Sequence, residues 1–367
     1  MQSDEVRSKF LKFFEKRGHK IIPSASLIPE NDPSVLFTTA GMQQFKNYYI
    51  NPENADQNFG AKNVVTVQKC VRTGDIDEVG DATHLTFLEM LGNFSFGGYG
   101  RREAILYAHN FITGELGLEI SYVTIYKGEG VVPQDDESRA IWEKLGIKDI
   151  RDDGSDVFWG PTGENGPCGP TTEIYCKNGE GIDVEIWNIV FNEYFCDGSR
   201  EKLDRGEAIL SKLPILGIDT GMGLERLLVI AQKKKSVYET DLFNNEKTKE
   251  ERIVADHVKA ALFIISDGIV PSNTGAGYVL RRLIRRAVRF SKAPLSEKIE
   301  KIKKIYEEVY LLEDKGEIEK EENKFRATLE KGLKEFAKGI DPSILFTTYG
   351  FPIELTVELA KEKNTTI

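Results

Sequence analysis

A glycine pair followed by an arginine is the first feature of this sequence that could bind a phosphate group. The stretch GIDTGMGLERLL at 217–228 contains Gly221, Gly223 and Arg226. Glycines at this spacing open a dinucleotide-binding loop when a third glycine lets the helix pack closely on its strand. Arg226 occupies that third position, and its planar, permanently charged guanidinium suits a polyphosphate instead. The stretch therefore predicts nucleotide contact by another geometry.

A second arginine stands at the end of a predicted strand. The run NVVTVQKCVR ends in Arg72, and Asp75 follows in the turn-rich connection to HLTFLEM. An arginine at a strand end is usually a surface charge. Together with Arg226 it forms a candidate clamp for the two ends of a triphosphate.

The run VEIWNIVF contains an asparagine in a strand interior. Alternation places Asn188 with Ile186 and Val190 on one face, and Glu185 on the other. A buried amide needs hydrogen-bond partners. It is either a satisfied core group or part of a binding site, and the strand alone does not decide between them.

Glycines and prolines interrupt the segment FWGPTGENGPCGPTTEIY at 158–175. Glycines and prolines at this density predict a rigid, irregular loop. The loop contains Trp159 and Glu173, so it could line a pocket.

The elements that must position these residues are mainly short strands in the first two-thirds of the chain. Few helical patterns separate them, which favours an α+β fold with a mainly antiparallel sheet flanked by helices over a doubly wound fold. The predicted strands are 35–41, 63–72, 84–90, 121–128, 184–191 and 213–219. From about residue 250 the pattern becomes helical. We therefore predict two domains, 1–240 and 250–367, with the boundary within 233–251.

Composition narrows the class of protein further. The chain has 367 residues, a net charge of −10, and 40% hydrophobic residues, as expected for a globular protein with a sizeable core. No apolar run is long enough to span a membrane, and the N-terminus reads as an amphipathic helix rather than a signal peptide. The cysteine and histidine spacings match no zinc site. These features predict a cytoplasmic enzyme with reduced thiols.

One helical segment is strongly basic despite the acidic chain. In YVLRRLIRRAVRF the arginines lie four residues apart or beside one another, and the apolar side chains face away; they are Arg281, Arg282, Arg285, Arg286 and Arg289. A row of this kind indicates contact with nucleic acid. The alternative is that the arginines pair with acidic residues of the first domain.

Taken in order, the motifs resemble those of the class II aminoacyl-tRNA synthetases, and among them the alanyl-tRNA synthetase family. The resemblance runs nearly end to end. Its motifs are SLIPENDPSVLFTTAGMQQFK, KCVR with HLTFLEMLGNFSFGGY, GPCGPTTEIY, EIWNIVF, GIDTGMGLERL, the helical segment RIVADHVKAALFIISDGIVPSN with GYVLRRLIRRAVR, and TYGFPIELT. It implies a class II catalytic domain followed by an all-α tRNA-recognition domain.

The resemblance assigns roles to individual residues. Arg72 contacts the α-phosphate and the substrate carboxylate, Asp219 receives the α-ammonium of alanine, and Arg226 holds the distal phosphates. ATP binding is also implied for Asp75, for Phe87 as the ring that stacks on adenine, and for Gly221 and Gly223. The alanine pocket is formed by Trp159, Asn188, Val190, Asp219 and Gly221. Magnesium is implied by the triphosphate, with Glu173 or Glu185 as its ligand.

The implied activity is alanine–tRNA ligation, with ATP, alanine and tRNA(Ala) as substrates. The residues implied in tRNA binding are Asn273, Arg281, Arg282, Arg285 and Thr347. Thr347 stands where the family has an aspartate that reads a G·U pair of the acceptor stem, so relaxed dependence on that pair is expected. The alternative function is that of a paralogue that activates an amino acid without charging tRNA.

The chain also departs from the family in length. The connection after Arg72 is shorter than the family's usual second-motif loop. The chain ends before an editing or a C-terminal dimerising domain would begin, so a short form that is monomeric and free of zinc is expected.

Overall fold

A computed structural model describes residues 1–29, 35–349, 351 and 353–362. The chain forms two compact units. The first, here the sheet unit, comprises Met1–Arg72 and Phe87–Asn245. The second, here the helical unit, comprises Thr73–Thr86 and Glu246–Ile367. The division at residue 245 falls within the predicted boundary stretch, whereas the assignment of the connection 73–86 to the helical unit was not predicted.

The sheet unit contains a nine-stranded sheet. Its strands are β1 (Lys20–Ile21), β2 (Asn63–Val71), β3 (Phe87–Phe96), β4 (Tyr122–Tyr126), β5 (Ile150–Asp153), β6 (Phe158–Trp159), β7 (Gly166–Lys177), β8 (Asp183–Cys196) and β9 (Leu210–Gly223). The strand order is β1-β2-β3-β9-β8-β7-β4-β5, and β6 pairs with β7. Only the β1–β2 and β4–β5 pairs are parallel. The predicted mainly antiparallel sheet with flanking helices is confirmed.

Helices of the sheet unit cover both faces of this sheet. They are α1 (Ser3–Glu15), α2 (Lys46–Ile50), α3 (Glu53–Phe59), α4 (Arg101–His109), α5 (Asp136–Lys144), α6 (Arg200–Asp204) and α7 (Leu224–Ala231). The helical unit contains α8 (Lys249–Ser266), α9 (Gly275–Phe290), α10 (Ser296–Tyr306), α11 (Glu317–Ala337), α12 (Pro342–Tyr349) and α13 (Ile353–Glu362). Among the described residues, no helix is long and apolar enough to cross a membrane.

The amphipathic pattern at the N-terminus determines how one face of the sheet, here the back face, is covered. Val6, Phe10 and Phe14 of α1 are fully buried. The ring of Phe10 lies 6.0 Å from that of Trp187, and the ring of Phe111 lies 5.8 Å from Trp187. Aromatic pairs at these distances add packing energy to area burial, so α1 seals the back face.

The opposite face, here the front face, carries a second cluster beneath the 3-10 helix Gly41–Phe45. Phe45 and Phe94 pack with ring centroids 4.7 Å apart. A Cβ at Gly41 would lie 3.1 Å from Phe94, so the absence of a side chain lets the turn lie close to β3. The cluster forms one wall beside the candidate site.

Two sequence predictions of local structure are wrong. Described residues 35–41 form no strand but lead into the 3-10 helix. The segment 158–175 is not an irregular loop throughout, because its second half belongs to β7. β7 tolerates Pro170 because the ladder to β8 shifts register between Cys168 and Thr171.

The helical unit is built on α8 and α9. Thr248 and Glu251 form a capping box at the start of α8, which satisfies backbone N–H groups that the first turn leaves unpaired. Phe263 of α8 packs edge-on against Tyr306 of α10, with centroids 5.0 Å apart. This core holds α9 so that Leu280, Leu283 and Ile284 are buried, and Arg286 of the arginine row is buried as well.

Candidate active site

Strand pairing brings the predicted alanine-pocket residues together. In the ladder, Val190 of β8 lies opposite Asp219 of β9, and Asn188 lies opposite Gly221. Glu173 of β7 in turn lies opposite Asn188. Residues directly opposite in a ladder share a face, so these side chains lie together on the front face.

Asp219 is a buried carboxyl group without an ion-pair or hydrogen-bond partner among the described residues. Asp219 is only 5% exposed. No group in the part of the chain that the structure describes donates a hydrogen bond to its carboxylate. The nearby Tyr49 hydroxyl donates to the carbonyl of Ile218 instead, at 3.0 Å. Burial raises the pKa of Asp219 to about 8. A cationic partner would reverse this shift.

Only one of the two polar atoms of the Asn188 amide has a hydrogen-bond partner among the described residues. Its Nδ2 donates to Oε1 of Glu173 at 3.2 Å, while its Oδ1 is buried with no partner among the described residues. An unpaired buried acceptor costs free energy until a donor arrives. Of the two interpretations left open by the sequence, the ligand-binding amide is therefore the better supported.

Glu173 is held by its neighbours on the same face. Its Oε2 accepts hydrogen bonds from the hydroxyls of Thr124 at 3.1 Å and Tyr175 at 2.9 Å. Burial, and then the charge of Glu185, raise the pKa of Glu173 to about 7. Sequence reasoning missed the supporting roles of Thr124 and Tyr175, although the alternation Glu173-x-Tyr175 was available as a signal.

Glu185 lies on the front face, not on the opposite face that simple alternation predicts. The ladder shifts register between Ile174 and Tyr175, so that Tyr175 lies opposite Glu185. A bulge of this kind moves the following side chain to the other face. As a consequence, Oε2 of Glu185 lies 3.1 Å from Nη1 of Arg226.

The glycine–arginine stretch forms the end of β9 and the first turn of α7. β9 ends at Gly223, which is the residue preceding α7, and Arg226 lies in the first turn. A Cβ at Gly221 would lie 2.9 Å from Sδ of Met90, so the absence of a side chain leaves room for that thioether. β9 pairs antiparallel with both neighbours. The stretch is therefore not a dinucleotide-binding βαβ unit.

Arg72 and Trp159 approach the same face from other elements. Arg72 directly follows β2, is half-buried, and donates from Nε to the carbonyl of Thr39 at 3.3 Å. Trp159 is partly buried and packs against the front-face cluster that contains Met42 and Met90. Trp159 pairs with Gly169 of β7.

Phe87 does not lie with these residues. In the ladder Phe87 lies opposite Val71. It is three residues from Met90 along β3, so the two side chains lie on opposite faces, and that of Phe87 is fully buried. Glu89, on the same face as Phe87, accepts from Nε of Arg7 of α1 at 2.9 Å, which identifies that face as the back face. The strand register therefore does not bring Phe87 to the front-face residues, and its stacking on adenine stays a prediction.

Asp75 lies in the 3-10 turn Gly74–Asp77, and its side chain falls outside the described part of the structure. Its predicted contact with ATP stays a prediction.

The arginines predicted to bind tRNA are already paired within the helical unit. Arg282 donates to Asp77 at 2.8 Å, and Arg285 donates to Glu321 at 2.6 Å. Arg281 donates to Oδ1 of Asn273 and has its Nε 3.5 Å from Glu321. The predicted alternative, pairing with acidic residues of the first domain, holds for Arg282 alone, because Asp77 lies within residues 1–240 and Glu321 does not.

The other two tRNA candidates are exposed. Asn273 lies just before α9, and Thr347 lies in α12. The hydroxyl of Thr347 donates to the carbonyl of Ser343 at 2.7 Å, one turn earlier in the same helix. Residues 350 and 352 of the motif TYGFPIELT, and residues 30–34 of the first motif, lie outside the described residues.

Comparison with known proteins places these features in a family. The family profile described as "tRNA synthetases class II (A)" matches residues 5–367. The chain is 40% identical to the alanine–tRNA ligase of Dehalococcoides mccartyi (strain ATCC BAA-2266) over 431 aligned positions, which cover 100% of this chain and 47% of that relative. The identity is 41% for the alanine–tRNA ligase of Borrelia hermsii and 43% for that of Treponema denticola, each covering 99% of this chain and 70% of the relative.

The chain thus spans about half the length of the Dehalococcoides relatives that it matches. Within the matched region, the aligned positions outnumber the 367 residues of the chain. This relative therefore carries internal residues that this chain lacks.

Proposed function

This chain belongs to the class II (A) family of tRNA synthetases, and from that premise we propose that it activates alanine with ATP and transfers it to the 3′ end of tRNA(Ala). The observation that carries the proposal is Asp219, a buried carboxylate with no donor among the described residues. It lies beside Val190 and Gly221 on the front face. A small amino acid with an ammonium group supplies the missing cation.

In this proposal alanine is bound by groups that are unsatisfied without it. Its ammonium pairs with Asp219 and donates to the unpartnered Oδ1 of Asn188. Its carboxylate pairs with Arg72. Val190, Trp159 and Gly221, over which the side chain of Met90 lies, border the position of the alanine methyl group. A pocket of this type rejects larger side chains by size, but discriminates only weakly against glycine or serine.

ATP binding in this proposal uses the two arginines. Arg72 contacts the α-phosphate, and Arg226 exchanges Glu185 for the distal phosphates. Both guanidiniums can bind phosphate oxygens with two parallel hydrogen bonds. The ion pair to Glu185, at one-third exposure of each side chain, is weak enough to be exchanged for a phosphate.

The donor set fits magnesium held jointly with the triphosphate. Glu173 and Glu185 are hard oxygen ligands on one face, and burial, followed by the charge of Glu185, raises the pKa of Glu173. No cluster of three or more metal-binding side chains occurs within the described ranges, so phosphate oxygens and water would complete the shell, as is usual for magnesium. When bound, the ion neutralises charge that develops on the phosphates.

The chemistry then proceeds in two steps. An oxygen of the alanine carboxylate attacks the α-phosphorus, the bond to the bridging oxygen breaks, and pyrophosphate leaves. A terminal ribose hydroxyl of tRNA next attacks the alanyl carbonyl, and AMP leaves. Neither step requires a protein nucleophile, because positioning and charge neutralisation lower the barrier. The site accordingly contains arginines and carboxylates.

The test is alanine-dependent ATP–pyrophosphate exchange beside aminoacylation of tRNA(Ala). We expect both activities in the wild type, and loss of exchange by orders of magnitude in Asp219→Asn, which keeps the shape but removes the charge. Exchange without aminoacylation would favour the alternative of a paralogue that activates an amino acid only. No exchange with alanine would contradict the proposed function.

A further inference from the structure

The connection between β2 and β3 is anchored in the helical unit. Arg72 directly follows β2 and Phe87 begins the neighbouring antiparallel strand β3, yet residues Thr73–Thr86 between them group with the helices. The connection contains the short turn Gly74–Asp77. Ile76 and Val79 are buried, so the connection is packed rather than solvated.

A series of buried hydrogen bonds holds the end of the connection at Thr86. The backbone N–H of Thr86 donates to Oδ1 of Asp256 at 2.8 Å. Oδ2 of Asp256 lies 2.9 Å from Nδ1 of His257, and Nε2 of His257 lies 2.7 Å from Nη1 of Arg286. An arginine can only donate, so Nε2 of His257 accepts. The imidazole proton is therefore on Nδ1 and is donated to Asp256.

The same arginine holds the middle of the connection. Nη1 of Arg286 donates to the carbonyl of Ile76 at 2.7 Å. Arg252 of α8 donates to the carbonyl of Asp81 at 3.0 Å. Asp256 and His257 are fully buried and Arg286 is 8% exposed. Buried charges are retained only with a full set of partners, and here the backbone of the connection supplies several of them.

We propose that Asp256, His257 and Arg286 are positioning residues for Arg72, an inference that rests on the proposed function. Arg72 is held on one side by β2 and by the carbonyl of Thr39. The next residue, Thr73, is the first of the connection. Because the two residues are covalently linked, the anchorage of residues 73–86 limits where the backbone of Arg72 can lie. A guanidinium that must reach a reacting phosphate tolerates little displacement.

The test compares Arg286→Gln and the milder Arg252→Gln with a matched control, Arg326→Gln. Arg326 also holds a connection of the helical unit, donating to the carbonyls of Ser291 and Ala293 and to Glu322. Hydrogen exchange of the amides at 74–86 reports the anchorage. The kcat and the KM for ATP in pyrophosphate exchange report the position of Arg72.

We expect faster hydrogen exchange at 74–86 and a 10- to 100-fold lower kcat in Arg286→Gln, with a smaller change of the same sign in Arg252→Gln. The control should change neither. The inference is overturned if the connection is released with kcat unchanged, or if Arg326→Gln lowers kcat as much. A wild type without exchange activity would overturn both this inference and the proposed function.

Discussion

In the proposed function, Asp219 is the residue at which alanine binding and protonation are most directly coupled. Burial raises its pKa to about 8, so at pH 7 the ligand-free carboxyl group is mostly protonated. An ammonium binds the ionised form only. The group must therefore release a proton when alanine binds.

We expect the affinity for alanine to rise with pH between about pH 6 and pH 8, by at most tenfold per pH unit, and to level off above the pKa of Asp219. Calorimetric titration in two buffers of different ionisation enthalpy measures the proton released. Asp219→Asn should lose both the pH dependence and most of the affinity. Alanine binding that is constant from pH 6 to pH 8 would contradict the raised pKa.

At this scale the sequence predicted several residues that the structure brings to one face, but not the strand register. Asn188 and Arg226 stand in a recognisable strand and turn, whereas Asp219 was assigned through the resemblance to a family. Phe87 was predicted to lie with them, but the structure places it on the back face, because a shift of one residue in pairing moves a side chain to the other face. The register is set across the connection 73–86, whose length and anchorage no local pattern predicts.

At the scale of elements, the close pairing of β7 with β8 positions Trp159. Gly169, the ladder partner of Trp159, lies where a Cβ would be 1.7 Å from the carbonyl oxygen of Phe191. A backbone atom of the neighbouring strand cannot move away as a flexible side chain can. The sequence could not reveal this contact, because the glycine was interpreted as part of a loop.

Gly169→Ala should therefore destabilise the protein by roughly 2 kcal/mol or more, as overpacking does. The matched control is Gly114→Ala, since Gly114 is exposed and a Cβ there would meet nothing within 4 Å. That change should leave the free energy of unfolding within about 0.5 kcal/mol of wild type or raise it. Thermal and urea unfolding measure both, and equal effects of the two changes would refute the packing argument.

The strand pattern predicted β2, β8 and part of β9 because their apolar residues alternate or run continuously. It failed at the bulge in the β7–β8 ladder, since a single extra residue breaks the alternation. Glu185 was thus expected on the wrong face, and its ion pair with Arg226 was not foreseen. Irregularities of pairing depend on both strands at once, and neither strand shows them alone.

For the whole molecule, the arginine row of α9 has to be considered together with the net charge of −10. The sequence showed the row, but not its partners, because Asp77 and Glu321 are 205 and 36 residues away from the arginines they bind. A phosphate that contacts Arg281 or Arg285 must compete with the buried Glu321. We therefore infer that this carboxylate weakens the electrostatic attraction of the helical unit for RNA.

Removing that charge should strengthen tRNA binding. In Glu321→Gln the amide oxygen can still accept a hydrogen bond, so the packing of α11 on α9 is kept while two guanidiniums lose their counter-charge. We expect higher affinity for tRNA(Ala), and a slope of log K against log salt that is steeper by about 1 to 2, since each phosphate contact contributes about −0.7 to −0.9. Filter binding or fluorescence anisotropy at several salt concentrations measures both quantities.

The control, Glu319→Gln, makes the same change of net charge at an exposed position of the same helix. If the two variants behave alike, the effect comes from net charge alone and Glu321 does not compete with RNA for the arginines.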